Sequence, residues 1–188
     1  PDVAGFSCNI WNLDATLRMA RLLKRCCPDT VVVLGGQEVT NGGAQFLAEH
    51  PCLDFIVDGE GEETFREFLE RLAEAGKDAV RGVPGLAGRL DAELKKRPPI
   101  DDVARIPSPF SGMRGDERML RKVRRSRLGC MVETARGCPF RCSFCFESEK
   151  FGGVRRYPLS RVADDITGMN LLGVRKFHIL DPVLCSAD

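Results

Sequence analysis

The sequence predicts an α/β chain, in which a partial doubly wound, Rossmann-like sheet is followed by a separate strand–helix–strand unit. Three observations predict it. Short apolar runs (Val3-Ala-Gly-Phe-Ser-Cys8, Val31-Val-Val-Leu34, Asp54-Phe-Ile-Val57) alternate with helical patterns over residues 1–76. The alternation breaks over residues 77–128, where Gly82-Val-Pro-Gly85, Arg97-Pro-Pro99 and Ile106-Pro-Ser-Pro-Phe110 read as linker, with a small strand or hairpin near 82–90. It resumes over residues 129–188 as a strand at 129–135, a helix at 160–172 and a strand at 176–181, one right-handed βαβ unit.

Each element has a local reason. After the first strand, Asn12 or Asp14 is placed to cap a helix whose apolar face is Leu13, Leu17, Ala20 and Cys27, with Arg18, Arg21, Lys24 and Arg25 toward water. It stops before Pro28. Val31 to Leu34 is continuously apolar, as in parallel strands covered on both faces, and ends at Gly35-Gly36. A short helix is expected near 43–49 and a strand at 54–57. The helix opened by Gly59-Glu-Gly-Glu62 carries Phe65, Phe68, Leu69 and Leu72 at helical spacing. The basic stretch from Arg114 to Arg127 has no interleaved aromatic residues to stack bases and reads as a solvated helix face rather than a nucleic-acid surface. In the last helix Ser160 is the expected cap, with Val162, Ile166, Met169 and Leu172 inward and Gly173 as the stop.

Composition narrows the classes. A net charge of +1 exerts no global pull toward nucleic acid or anionic membrane. No run approaches the roughly twenty apolar residues of a membrane span, and no signal peptide opens the chain. Nine cysteines, several of them (Cys8, Cys52, Cys130, Cys185) among apolar neighbours, read as reduced thiols in a cytoplasmic protein. Pro1 is no natural start, the first residues already read as a buried strand and the last strand has only just ended, so a piece of a longer enzyme is expected.

Chemistry concentrates in Glu133-Thr-Ala-Arg-Gly-Cys138-Pro-Phe-Arg-Cys142-Ser-Phe-Cys145. Thiolates are soft ligands for zinc or iron–sulfur clusters, and three of them spaced C-x₃-C-x₂-C leave one metal position open to a substrate. A zinc site completed by Cys130, Cys185 or His178 is the alternative, as are uncommitted thiols. Phe140, Phe144 and Phe146 favour a cluster, because apolar cover helps to set its potential. In the amino-terminal sheet, ligands are expected beyond the carboxyl ends of the strands, where Ser7-Cys-Asn9, Gly35-Gly36 and Gly59-Glu-Gly61 lie.

The cysteine spacing, the aromatic Phe144 before the third cysteine and the lead-in Arg136-Gly137-Cys138-Pro139 resemble the radical SAM superfamily. Ser7 and Gly35-Gly36, with Gly-Gln-Glu38-Val-Thr40 and Gly59-Glu-Gly-Glu-Glu-Thr-Phe65, resemble the cobalamin (B12)-binding domain of its cobalamin-dependent members. The resemblance implies a partial cobalamin-binding sheet at 1–76, a linker at 77–128 and the start of a radical SAM partial TIM barrel at 129–188. It implies a [4Fe–4S] cluster on Cys138, Cys142 and Cys145, and cobalamin against Ser7, Asn9, Gly35, Gly36, Gly59, Glu60 and Gly61. S-adenosylmethionine would then lie near the backbone beside Phe144 and near Asp181, which is equally a strand-terminating turn residue.

The implied activity is reductive cleavage of S-adenosylmethionine for radical methyl transfer or a related C–H functionalisation. A small molecule or peptide would be the substrate, and a flavodoxin or ferredoxin the electron donor. A cobalamin-independent, methylthiotransferase-like enzyme and a non-catalytic zinc or iron–sulfur module are the alternatives. The first of these lacks a second cysteine triad within residues 1–76.

Overall fold

The structure, a computed structural model, describes residues 1–40, 42–89, 91, 94–111, 116–125, 129–145 and 153–183. The chain divides into two compact units, Pro1–Pro99 and Ile100–Asp188.

In the first unit, β1 (Val3–Ser7), β2 (Val31–Gly35) and β3 (Phe55–Val57) pair in parallel, and β4 (Leu86–Gly88) joins β3 antiparallel, giving the order β1-β2-β3-β4. Side chains alternate across the sheet and sort two cores. Val32, Leu34 and Ile56 meet Leu17 and Ala20 of α1 (Leu13–Cys26) and Leu47 of α2 (Gly43–Glu49) on one face. Val31, Val33, Phe55 and Val57 meet Phe68 of α3 (Gly61–Ala75) on the other. Helices thus cover both faces, which is why β2 reads as an unbroken apolar run.

Local departures from expectation have physical causes. Asn12 occupies the cap position of α1 without a capping hydrogen bond, because its side chain faces back toward the loop before it. Cys27 lies beyond the helix and is exposed, and Leu69 sits at the edge of the apolar face of α3, 38% exposed. Asp54 precedes β3 rather than opening it. Its carboxylate accepts the Val32 N–H at 2.7 Å and pairs with Lys24 at 2.6 Å.

The expected linker is shared between the units. Its first part supplies a 3-10 turn (Lys77–Val80) and β4, and Arg97 binds back to the Pro84 carbonyl, Thr64 and Glu67. Its second part holds α4 (Glu117–Arg125), whose first turn is capped by Asp116 accepting the Arg118 and Met119 N–H groups, both at 2.9 Å. Arg118, Arg121, Lys122 and Arg125 are exposed and Leu120 is buried.

In the second unit, β5 (Cys130–Val132) pairs in parallel with β8 (Phe177–Ile179), and α5 (Leu159–Leu171) connects them. Phe110, Cys130, Val132, Met169 and Val174 form its core. The helix begins one residue before Ser160, with Pro158 at the cap position, where the missing proline N–H costs nothing. Gly173, at φ +94°, ends it. Two short strands, β6 (Ala135–Arg136) and β7 (Arg155–Arg156), pair antiparallel on either side of the cysteine loop.

Candidate cofactor sites

The carboxyl ends of β1, β2 and β3 and the start of α3 enclose a cleft of about 440 Å³. Gly5, Phe6, Ser7, Val33, Leu34, Gly35 and Val57 form its sheet wall, and Gly61, Glu62 and Phe65 the helix wall. Several of these residues are small, and a Cβ at Gly35 or Gly61 would stand in ordinary van der Waals contact with Val57. Of the residues expected to hold a ligand here, Ser7, Gly35 and Gly61 line the cleft directly.

The others play different parts. Asn9 belongs to a loop held from within, where Asn12 Oδ1 accepts the Asn9 N–H at 2.8 Å and Asn12 Nδ2 donates to the Ser7 carbonyl at 2.9 Å. Gly36, at φ +117°, packs where any Cβ would collide with the Cys8 carbonyl oxygen. Cys8 N–H donates to the Gly35 carbonyl at 2.7 Å, so the loops after β1 and β2 are fastened together through backbone. Gly59, at φ +77°, has open space where a side chain would be, and Glu60 is the cap residue of α3. The N-terminus of a 15-residue helix thus faces the cleft beside them.

At the second site, β5 runs through Glu133 and Thr134 into β6 and then Gly137, which is buried at φ +86°. Cys138 and Cys145 are half-buried and Cys142 is exposed, and none of the eight described cysteines is in a disulfide. The Cys145 N–H donates to the Cys142 carbonyl at 3.0 Å. Three closely spaced thiols fit a soft-ligand centre by donor chemistry. Among the described residues, no group of three or more His, Cys, Asp or Glu side chains is placed to hold a metal ion.

Phe140 and Phe144 are 59% and 90% exposed and do not roof the cysteines. Residues 137–145 carry no helix or strand, so turns alone direct these rings. Phe146 and residues 147–152, expected as part of a covering loop, and Cys185 lie outside the described residues.

Asp181 is engaged across the strands. Its carboxylate accepts the Thr134 N–H at 2.7 Å, the Ala135 N–H at 3.1 Å and the Thr134 hydroxyl. Beside it lies a cluster that the sequence reading did not single out. One oxygen of Glu133 accepts both the Tyr157 hydroxyl and Arg136 Nε, each at 2.9 Å, and the Arg161 guanidinium lies 4.2 Å from the centre of the Tyr157 ring. Burial pushes the Tyr157 hydroxyl up to about 12, with the Glu133 carboxylate adding to the shift against the nearby arginines. The one signal in the sequence was Glu133 standing polar in an otherwise strand-like run.

These features define the class: an α/β cofactor-binding domain followed by a βαβ unit with a three-cysteine loop. Residues 1–69 match the family described as B12 binding domain. The chain is 37% identical over 88% of its length to a 2-(S-pantetheinyl)-carbapenam-3-carboxylate methyltransferase of Streptantibioticus cattleyicolor. It is 33% identical over 96% of its length to the cobalamin-dependent radical SAM methyltransferase TokK of Streptomyces tokunonensis. It covers 25% and 27% of these two relatives, about a quarter of their length.

Its fold matches that of TsrM from Kitasatospora setae, a radical S-adenosylmethionine methyltransferase solved with cobalamin and a [4Fe-4S] cluster and, separately, with tryptophan substrate and a SAM analogue. The TM-score for the tryptophan-bound structure is 0.69 at 23% identity, covering 97% of this chain and 37% of that one. Residues 1–69 thus carry a B12 binding domain, and over nearly its whole length the chain is similar to B12-binding-domain-containing radical SAM proteins, of which it spans about a quarter. No described helix is long and apolar enough to cross a membrane.

Proposed function

We propose that this chain carries the cobalamin-binding and cluster-binding parts of a radical SAM methyltransferase. The observation that supports it best is the pairing, in one chain, of a glycine-lined cleft at the carboxyl ends of parallel strands with a three-thiol loop that leaves a parallel βαβ pair. The cleft residues Ser7, Gly35 and Gly61, together with Asn9, Gly59 and Glu60 of the loops that follow β1 and β3, would hold cobalamin, and Gly36 keeps the loops after β1 and β2 close together. Cys138, Cys142 and Cys145 would hold a [4Fe–4S] cluster. The backbone beside Phe144 is the proposed contact for the adenine of S-adenosylmethionine, and Asp181 holds the chain at Thr134 and Ala135 ahead of the loop.

When bound, the cluster supplies an electron for reductive cleavage of S-adenosylmethionine, and cobalamin supplies a methyl carrier. The protein's own contribution is placement. The walls of the cleft are mainly apolar, and the β5–β8 pair presents the cysteine loop at one end of its strands. A flavodoxin or ferredoxin would donate electrons, and a small molecule or peptide would accept the methyl group.

The test is anaerobic iron–sulfur reconstitution, followed by electron paramagnetic resonance of the reduced sample with and without S-adenosylmethionine. Hydroxocobalamin binding is followed in parallel by visible absorbance. The expected result is a [4Fe–4S]⁺ signal that shifts with S-adenosylmethionine and disappears in Cys142→Ala, together with saturable cobalamin binding. Tightly held zinc with no cluster would overturn the radical reading.

A further inference from the structure

The loop that carries the cysteines is closed at its base. Ala135 and Arg136, where the chain enters, pair with Arg156 and Arg155, where it returns, and the Tyr157 N–H donates to the Thr134 carbonyl at 3.0 Å. A ladder of two residues is weak by itself, since isolated strand pairs are marginal in water. Side chains reinforce it from both sides. Glu133 Oε2 receives the Tyr157 hydroxyl and Arg136 Nε together, both at 2.9 Å.

Tyr157 is 6% exposed, and Arg161 covers its ring. That arginine is itself anchored, donating to the carbonyls of Ile106 at 2.6 Å and Val103 at 3.3 Å. From β8, Asp181 grips Thr134 and Ala135. Residues 133–136 are therefore held from β7, from Tyr157 and from Asp181.

Cys138 is two residues beyond this fixed point, so its Cα can lie at most about 7 Å from that of Arg136. Cys142 and Cys145 are six and nine residues beyond, in a stretch without helix or strand. The three thiols thus differ in how much freedom a metal must remove, and Cys138 has the least.

We infer that Glu133, Arg136 and Tyr157 are positioning residues that preset Cys138 as the first ligand, onto which Cys142 and Cys145 close. This rests on the proposed reading of the loop as a cluster site. None of the three need touch the cluster. They act through the backbone of β6, as outer partners that orient a ligand act on metal affinity.

The experiment uses the full 188-residue chain and compares wild type with Glu133→Ala, Tyr157→Phe and Glu133→Gln. Iron and sulfide per chain, iron retention against a chelator, and the g-values of the reduced cluster are measured. Circular dichroism and thermal melting report folding separately. Glu133→Ala and Tyr157→Phe are expected to lose iron to the chelator about tenfold more readily than wild type and to show an altered signal. Glu133→Gln keeps an oxygen that accepts from both donors, and it is expected to restore retention. Tyr157→Phe preserves the buried ring and so carries the test if Glu133→Ala does not fold.

Folded Glu133→Ala and Tyr157→Phe chains with wild-type retention and g-values would overturn the inference, as would a Glu133→Gln chain that behaves like Glu133→Ala. If the wild-type chain itself accepts no cluster, the cluster reading fails first and takes this inference with it.

Discussion

Tyr157 shows how much a single residue can report, because it is the sole tyrosine in the chain. Its hydroxyl is raised from about 10 to about 12 in the folded protein, mainly by burial. A raised folded value means that the native state holds the proton more tightly than the unfolded state. The resulting stability is fully present below pH 10 and is lost as pH rises from about 10 through about 12. Tyrosinate absorbance should therefore titrate near pH 12, and the thermal midpoint of the second unit should fall across that window. Titration near pH 10 with no change in the midpoint would mean that the hydroxyl is not buried in the folded protein. Gly36 works at the same scale by another route, since its positive φ and its closeness to Cys8 exclude every side chain.

At the scale of elements, the loop between β1 and α1 determines how the cleft is bordered. Asn12, read from the sequence as a helix cap, spends its side chain on Ser7 and Asn9 instead. An Asx side chain satisfies whichever nearby backbone groups lack partners, and here those are in the loop. Asn12→Ala should reduce the stability of the first unit by about 1 kcal/mol. Urea unfolding followed by circular dichroism would measure it, and an unchanged midpoint would show that the loop is held by backbone alone. The same loop exposes Ile10 and Trp11, the latter 80% accessible, while Leu17 and Ala20 on the helix behind it are buried.

At the scale of the whole chain there are two compact units, and each described hydrophobic cluster draws its residues from one unit alone. A piece comprising Pro1–Pro99 should therefore melt cooperatively with an α/β circular dichroism spectrum. A piece ending at residue 76 should not, because it lacks β4 and the Arg97 contacts that hold α3. Equal melting of the two pieces would show that the fourth strand adds nothing.

Much of this was legible in sequence, because it depends on patterns that repeat within a few residues. The α2 span from 43 to 49, the continuous β2 run, the glycine stop at 173 and the βαβ unit around α5 follow from periodicity and breakers. Ser7, Gly35 and Gly61 could be placed at a cleft because the carboxyl ends of parallel strands are where such folds leave room. The sequence by itself thus determined the order of the main strands and helices, the cysteine triad and the end of the strands at which a ligand is sought, but not the short β6–β7 pair.

Tertiary structure alone decided what joins distant residues. Asp181 closes on Thr134 and Ala135, Ser108 donates to Asp165 at 2.6 Å, and Tyr157 and Arg136 converge on Glu133. Hydrogen bonds and ion pairs act over a few ångströms in space, whatever the number of residues between the partners, so they leave no periodic trace in the chain.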